Sequence, residues 1–303
     1  MNKLHLTFIL ILTSFVFTSF CQEALFHQGL SQIDNKQYQQ CVETFKQVVE
    51  LTPKDDAAFF NLGFCYYNLK QYDQALVYFQ KAIEINPKYT RAFVFLGISL
   101  DLLNRSDEAI SAFQKAIQID PNNYSPYFEL GITQKNKNNL VEATKAFQRA
   151  VQLKPDNYRN QQELGDIYLK QKMFSEAKIA YEETIRLKPN FADGYFGLGN
   201  AFYNNNQWEE SIPFYKKAVE LDPNWISAHL YLADTYLDTK QYSLAMAEYQ
   251  AALKLNSNNS AAYFGLGLVY KYMKNQDMAQ QQYQKLKQLD ADLAAKLLTK
   301  ISN

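Results

Sequence analysis

A spacing of 34 residues runs through this chain without an insertion: Pro53, Pro87, Pro121, Pro155, Pro189 and Pro223 share one column of it, and Ser257 and Ala291 continue that column. A second column holds Gly29, Gly63, Gly97, Gly131, Gly165, Gly199, Ala233 and Gly267. Seven of the ten glycines and six of the eight prolines fall in these two columns, so backbone constraint, not chemistry, accounts for most of them. A strict period of this length marks stacked units, each too small to bury its own apolar face. Length alone would suggest about two globular domains for 303 residues. The repeat instead predicts one quasi-linear array in which contacts run between neighbours.

Within a unit the apolar residues have helical spacing. Taking 56–89, Phe59, Leu62, Gly63 and Tyr66 follow i, i+3, i+4, i+7, and Ala75, Phe79 and Ala82 follow i, i+4, i+7. Each unit is thus two amphipathic helices. Polar residues from Asn68 to Tyr72 separate them, and Asp73, with Asp107, Ser175, Ser243 and Asp277 in the same column, is expected to cap the second helix. The proline column ends that helix, because a residue before proline is pushed out of the helical region. The glycine column lets two helices cross closely, with Ala75, Ala109, Ala143 and Ala177 expected opposite. Pro126, after Ser125, suits a first helical position, and Pro213 lies about one turn into a second helix, where a lost donor costs little.

The first 21 residues differ in kind. Lys3 precedes Leu4 to Phe20, which contain no acid, lysine or arginine, and Ser19-Phe20-Cys21 closes the stretch. This reads as a secretory signal over 1–21 cleaved after Cys21, as an uncleaved N-terminal anchor, or as a lipoprotein leader with lipid on Cys21. All three place the repeats outside the cytoplasm, whether periplasmic, secreted or held at a membrane. No other integral membrane segment is expected.

Chemistry is sparse. The 31 basic and 31 acidic residues balance, with no basic stripe for a phosphate backbone, so nucleic acid is not an expected partner. His27 and His229 are two hundred residues apart and cannot share a metal, and His5 lies in the leader. Gly194, Gly197 and Gly199 sit inside a helix with no strand before them, which argues against a phosphate loop. Cys41 and Cys65 occupy columns that prefer small buried residues; packed thiols are the plainer reading, and a disulfide stays open because it needs Cα atoms within about 7 Å. No nucleophile has a base partner. We therefore expect no catalytic residue, metal or cofactor. Three sequons, at Asn104, Asn123 and Asn258, fall at turns between helices.

The residues Phe59, Leu62, Gly63, Tyr66, Ala75, Phe79, Ala82 and Pro87 match all eight positions of the tetratricopeptide-repeat signature, and close versions recur from 90, 124, 158, 192, 226 and 260. The chain resembles that family over 22–293, as eight repeats starting at 22, 56, 90, 124, 158, 192, 226 and 260. The first unit is atypical, with Gln28, Gln32, Cys41 and Val48 at signature positions, as befits a terminal repeat. Leu289, Leu293, Leu297 and Ile301 recur every four residues and predict a capping helix whose end is 294–303. The resemblance implies an all-α fold, a right-handed superhelical α-solenoid of antiparallel helix pairs, with first helices lining a concave face.

By the same resemblance, ligand-facing side chains come from positions 2, 5, 9, 12 and 13 of each unit. In units two to four these include Phe60, Phe64, Tyr67, Arg91, Val94, Ile98, Phe128 and Ile132. Units five to seven offer Arg159, Asp166, Asp193, Phe196, Asn200, Tyr203, Asp234 and Asp238. One end is apolar and aromatic, the other carries several acids. That suits a peptide with an apolar and a basic stretch. The basic clamp by which cytosolic chaperone adaptors of this family hold a terminal carboxylate is missing, since Phe60, Phe64, Phe95, Ser125 and Glu129 stand in its columns. The expectation is a non-enzymatic scaffold that binds a protein or peptide segment and helps assemble a complex outside the cytoplasm. The alternative is an accessory protein of the envelope that stacks carbohydrate or another polymer on its aromatic groove.

Overall fold

A computed structural model describes residues 22–302. They form seventeen helices: α1 (22–34), α2 (Tyr38–Leu51), α3 (Asp56–Asn68), α4 (Tyr72–Ile85), α5 (Thr90–Leu102), α6 (Ser106–Ile119), α7 (Tyr124–Asn136), α8 (Leu140–Leu153), α9 (Tyr158–Lys170), α10 (Phe174–Leu187), α11 (Ala192–Asn204), α12 (Trp208–Leu221), α13 (Ile226–Asp238), α14 (Tyr242–Leu255), α15 (Ser260–Tyr272), α16 (Gln276–Leu289) and α17 (Ala291–Ser302). Strand is absent among the described residues. The chain divides into two compact units, one ending at Leu153 and the other beginning at Lys154. In the first, α3 pairs with α4, α5 with α6 and α7 with α8, and each second helix also packs on the next first helix. The second unit repeats that arrangement from α9 to α16, and α17 closes it by lying on α16 and α15.

The helix-to-helix turn within a repeat is built from backbone. After α3, Lys70 N–H donates to Tyr67 O at 2.9 Å and Gln71 N–H to Tyr66 O at 3.0 Å, the paired bonds that finish a helix when one residue turns left-handed. That residue is Lys70, with φ of 61°. It has seven counterparts at the same spacing: Lys36, Asn104, Asn138, Lys172, Asn206, Lys240 and Lys274, all with φ between 58° and 61°. Gln71, which completes the first helix's cap, is also the residue from which α4 starts.

This economy corrects the expected capping. Asp73 does not cap α4; Gln71 stands at the cap with no side-chain bond, and Asp73 lies in the first turn. Asp107 and Asp277 likewise sit inside first turns, where a negative charge favours the helix dipole. Side chains cap four of the first helices and, among second helices, α16, where Asn275 accepts from the Met278 N–H at 3.2 Å. Asp55 accepts from the N–H groups of Ala57 and Ala58, and Asn123, Asn157 and Asn259 cap α7, α9 and α15. Consequently Pro126 is the third residue of α7, not the first, still within the turn whose N–H groups have no helical partner. The second helices end at Ile85 or its equivalents, two residues before the proline column, with Asn86 and Asn256 in extended backbone.

The glycine column is explained by rings. A Cβ on Gly63 would come within 2.8 Å of the Phe79 ring, and one on Gly97 within 2.5 Å of Phe113. Phe45, Phe147, Tyr181 and Tyr215 meet Gly29, Gly131, Gly165 and Gly199 in the same way. The expected alanine opposite contributes only a backbone carbonyl, that of Ala75, at 3.2 Å from the position on Gly63. Gly267 instead receives Leu297 from α17, at 2.6 Å, so the last helix supplies apolar cover where the repeats end. Leu297 and Ile301 are buried, Leu293 is half-buried, and Leu289 belongs to α16. Gly197 and Gly194 are accounted for in the same terms, lying against Tyr181 and the Thr184–Ile185 stretch of the preceding second helix.

Cys41 and Cys65 are joined as a disulfide, with Cα atoms 6.0 Å apart, and both are fully buried. The reading of two merely packed thiols is thereby corrected. The bond ties α2 of the first repeat to α3 of the second, next to the atypical end of the array.

Candidate interaction face of the first helices

In units one to seven position 9 faces position 24 of the same unit, fifteen residues on, and the two change together; the eighth unit departs, with Leu268 at position 9 and a half-buried Tyr283 at position 24. In the first compact unit position 24 is Phe45, Phe79, Phe113 or Phe147, and position 9 is Leu30, Phe64, Ile98 or Ile132. In the second, position 24 becomes Tyr181, Tyr215 and Tyr249, and position 9 becomes Asp166, Asn200 and Asp234. The Tyr181 hydroxyl donates to Asp166, that of Tyr215 to Asn200 at 2.7 Å, and that of Tyr249 to Asp234. A buried hydroxyl without a partner costs free energy, so each tyrosine requires the polar residue across from it. Asp166, Asn200 and Asp234 are thus held by the fold as well as facing outward. Burial, and then the neighbouring carboxylates Asp166 and Asp234 respectively, push the phenols of Tyr181 and Tyr249 far above their ordinary value.

Tyr203 makes a different bond, from α11 to α13. Its hydroxyl donates to Asp238 at 2.6 Å, and burial, followed by that bond, raises its proton affinity. Asp234 is open to solvent yet recessed among Tyr249, Tyr215 and Tyr203. This crowding, with the Asp238 charge beside it, lifts its carboxyl above the usual carboxylate value, while the Tyr249 hydrogen bond pulls the other way. A carboxyl whose pKa is higher folded than unfolded binds more protons when folded, so its contribution to stability falls as pH rises through that range. Asp234→Asn keeps an acceptor for Tyr249 and removes the charge. It should raise the melting temperature at pH 7, with the advantage shrinking once pH drops below the carboxylate range; a variant less stable than the parent at pH 7 would contradict this.

In the first unit the residues at these positions form a ring cluster. Phe64 and Tyr67 stand edge-on to Phe95, at 5.2 and 5.4 Å, and Phe60 lies 5.6 Å from the same ring. The Arg91 guanidinium carbon sits 4.7 Å over the Phe60 ring centre. Phe60 and Val94 are 1% and 5% exposed, so they build the wall rather than its surface. Phe64, Tyr67, Ile98, Phe128 and Ile132 are half-buried and Arg91 is exposed. Phe128 leans edge-on against Phe147 at 5.9 Å. In the second unit Arg159 is exposed and its Nε donates to the Tyr158 hydroxyl at 3.3 Å. Phe196 is half-buried, and Asp193, Asp234 and Asp238 are exposed.

The columns taken from the family geometry omitted positions 6 and 34, which carry Phe95 and Tyr89 in one cluster and Tyr231 and Trp225 in the other. Their signal was present as aromatic residues at positions that elsewhere in the chain hold Glu129, Glu163 or Gly197. Among the described residues no three His, Cys, Asp or Glu side chains are placed to hold a metal, and no helix is long and apolar enough to cross a membrane. The leader and its lipid or anchor alternatives lie outside the described residues.

Tetratricopeptide-repeat family models match residues 23–55, 57–89, 124–157, 192–224 and 260–293, and a related repeat model matches 102–138, 165–206 and 233–274. No sequence among the curated proteins matches the chain. Similar solved structures include the C-terminal part of a repeat-containing protein from Cytophaga hutchinsonii, with 22% identity, TM-score 0.67, and coverage of 80% of this chain and 99% of that one. YrrB, described as having an unusual peptide-binding site, has 23% identity and TM-score 0.55 over 62% of this chain and 97% of its own. Pseudomonas aeruginosa pilF has 19% identity and TM-score 0.59 over 70% and 97%. At these identities the likeness is one of fold.

Proposed function

The chain belongs to the tetratricopeptide-repeat family, and from that premise we propose that it is a non-enzymatic scaffold outside the cytoplasm, binding a peptide or protein segment along its first helices and helping to assemble a complex. The observation that carries this reading is the contrast between columns. Glycine, ring and proline positions repeat because they hold the fold together, whereas solvent-facing positions on the first helices change from Arg91 and half-buried Phe64 and Tyr67 to Asp193, Asp234 and Asp238. Such a surface offers aromatic anchoring and charge complementarity. YrrB, which shares the fold, is described by its peptide-binding site, and that supports the same use here.

The Cys41–Cys65 bond supports the export part of the reading, because disulfides persist in oxidising compartments and are rare in reducing ones. Protein taken from its native source under acid quench should therefore show no free thiol at Cys41 or Cys65 before reduction and two afterwards. Two free thiols in the native material would count against export. Cross-linked capture with the purified chain, against extracts of the compartment where it resides, should recover a protein partner. Recovery of none, with binding to a glycan array instead, would replace this reading by the polymer-binding one.

A further inference from the structure

The ring cluster of the first unit recurs 136 residues later with its cation removed. Phe60, Tyr67, Tyr89 and Phe95 correspond, four repeats on, to Phe196, Tyr203, Trp225 and Tyr231. The rings keep their relations: Phe60 lies 5.2 Å from Tyr89 and 5.6 Å from Phe95, and Phe196 lies 4.5 Å from Trp225 and 5.1 Å from Tyr231. In the first cluster the chain places its own Arg91 over Phe60. At the matching place in the second stands Ser227, exposed and uncharged.

At positions 2, 9 and 13 acids replace apolar residues, while elsewhere on the same helices Asp56 and Asp101 give way to Ala192 and Leu237. Ala57, Ile98 and Leu102 become Asp193, Asp234 and Asp238, and all three acids are exposed. Neither α11 nor α13 contains lysine or arginine. Tyr231 is 40% exposed, so its ring is reachable from solvent. A guanidinium stacks on aromatic faces while its planar N–H fork matches a carboxylate. The first cluster demonstrates the stacking half with Arg91; the second adds the carboxylates and leaves out the internal arginine.

We propose that the Phe196–Tyr203–Trp225–Tyr231 cluster, with Asp234 and Asp238, takes an arginine side chain from the partner protein, in the place that Arg91 fills in the first cluster. This rests on the reading of the first helices as a binding face and names the group they select in the second unit. Ser227→Arg supplies the cation internally and should close the site, because an exposed serine at that position lets the longer side chain reach the rings as Arg91 does.

Trp225 is one of only two tryptophans, so a Trp208→Phe chain reports the cluster by fluorescence. Titrated at fixed ionic strength, N-acetyl-argininamide should change the Trp225 emission saturably, and N-acetyl-norleucinamide should not. Ser227→Arg should abolish the response, and Asp238→Asn should weaken it about tenfold, on the scale of a desolvated cation–ring and carboxylate contact. Circular dichroism matching the parent shows that both variants fold. Equal responses to the two amides, or full binding by Ser227→Arg, would overturn the proposal. Protein capture separates it from the broader reading: a chain that ignores the arginine probe but still captures a partner loses the arginine site and keeps the binding face.

Discussion

Gly97→Leu should destabilise the chain by about 1–3 kcal/mol, the usual range for overfilling a packed core, even though replacing a helical glycine returns about 1 kcal/mol of propensity. The Cβ alone would stand 2.5 Å from the Phe113 ring, which is 1% exposed and has nowhere to go. Phe113→Ala by itself should cost about 3–5 kcal/mol through the cavity it leaves. The two changes together should cost clearly less than their sum, since the leucine enters the space the ring vacates. Chemical denaturation of the parent, both single variants and the double variant measures the coupling. Additive losses would mean that glycine and ring do not share one packing site.

Replacing Lys36, Lys70, Lys172, Lys240 and Lys274 with glycine should raise stability by about 2–5 kcal/mol in total. Each lysine holds a left-handed backbone, with φ between 58° and 61°, a conformation that costs an L-residue about 1–2 kcal/mol. Glycine adopts it freely but brings extra freedom to the unfolded chain, which takes back about 0.4–1 kcal/mol per site. The five turns are separated by at least one repeat, so the gains should add. Lysine to alanine at the same five sites is the control, removing the charge and keeping the Cβ. If the alanine set matches the glycine set, charge and not backbone conformation sets the difference.

The left-handed column was readable only after the structure supplied its reason. In the sequence it is an alternation of Lys and Asn with no glycine, and nothing in Lys70 by itself announces a positive φ. The helix pairs, the proline column and the closing α17 were legible because each follows from local pattern: apolar spacing, the restriction before proline, and leucines every four residues. Caps misled for a geometric reason. Gln71 finishes one helix and starts the next, which leaves no intervening residue for Asp73 to act from outside. At the candidate face the family geometry located Asp166, Asn200 and Asp234 but not their tyrosine partners, because a bond between positions fifteen apart on two helices has no mark in a single helix pattern. Comparing columns 9 and 24 across units one to seven would have shown it.

The tyrosine and its position 9 partner also decide which repeats can stand in for one another. A unit carrying Phe113 with Ile98 and a unit carrying Tyr215 with Asn200 look equivalent by their signature residues. Exchanging only one member of the pair strands a hydroxyl or an amide in the interior. Units one to seven are therefore written in two dialects, and the eighth, which carries Tyr283 with Leu268, belongs to neither. Duplication, deletion or shuffling of whole repeats remains silent within a dialect, while any splice falling between positions 9 and 24 must join segments of the same one.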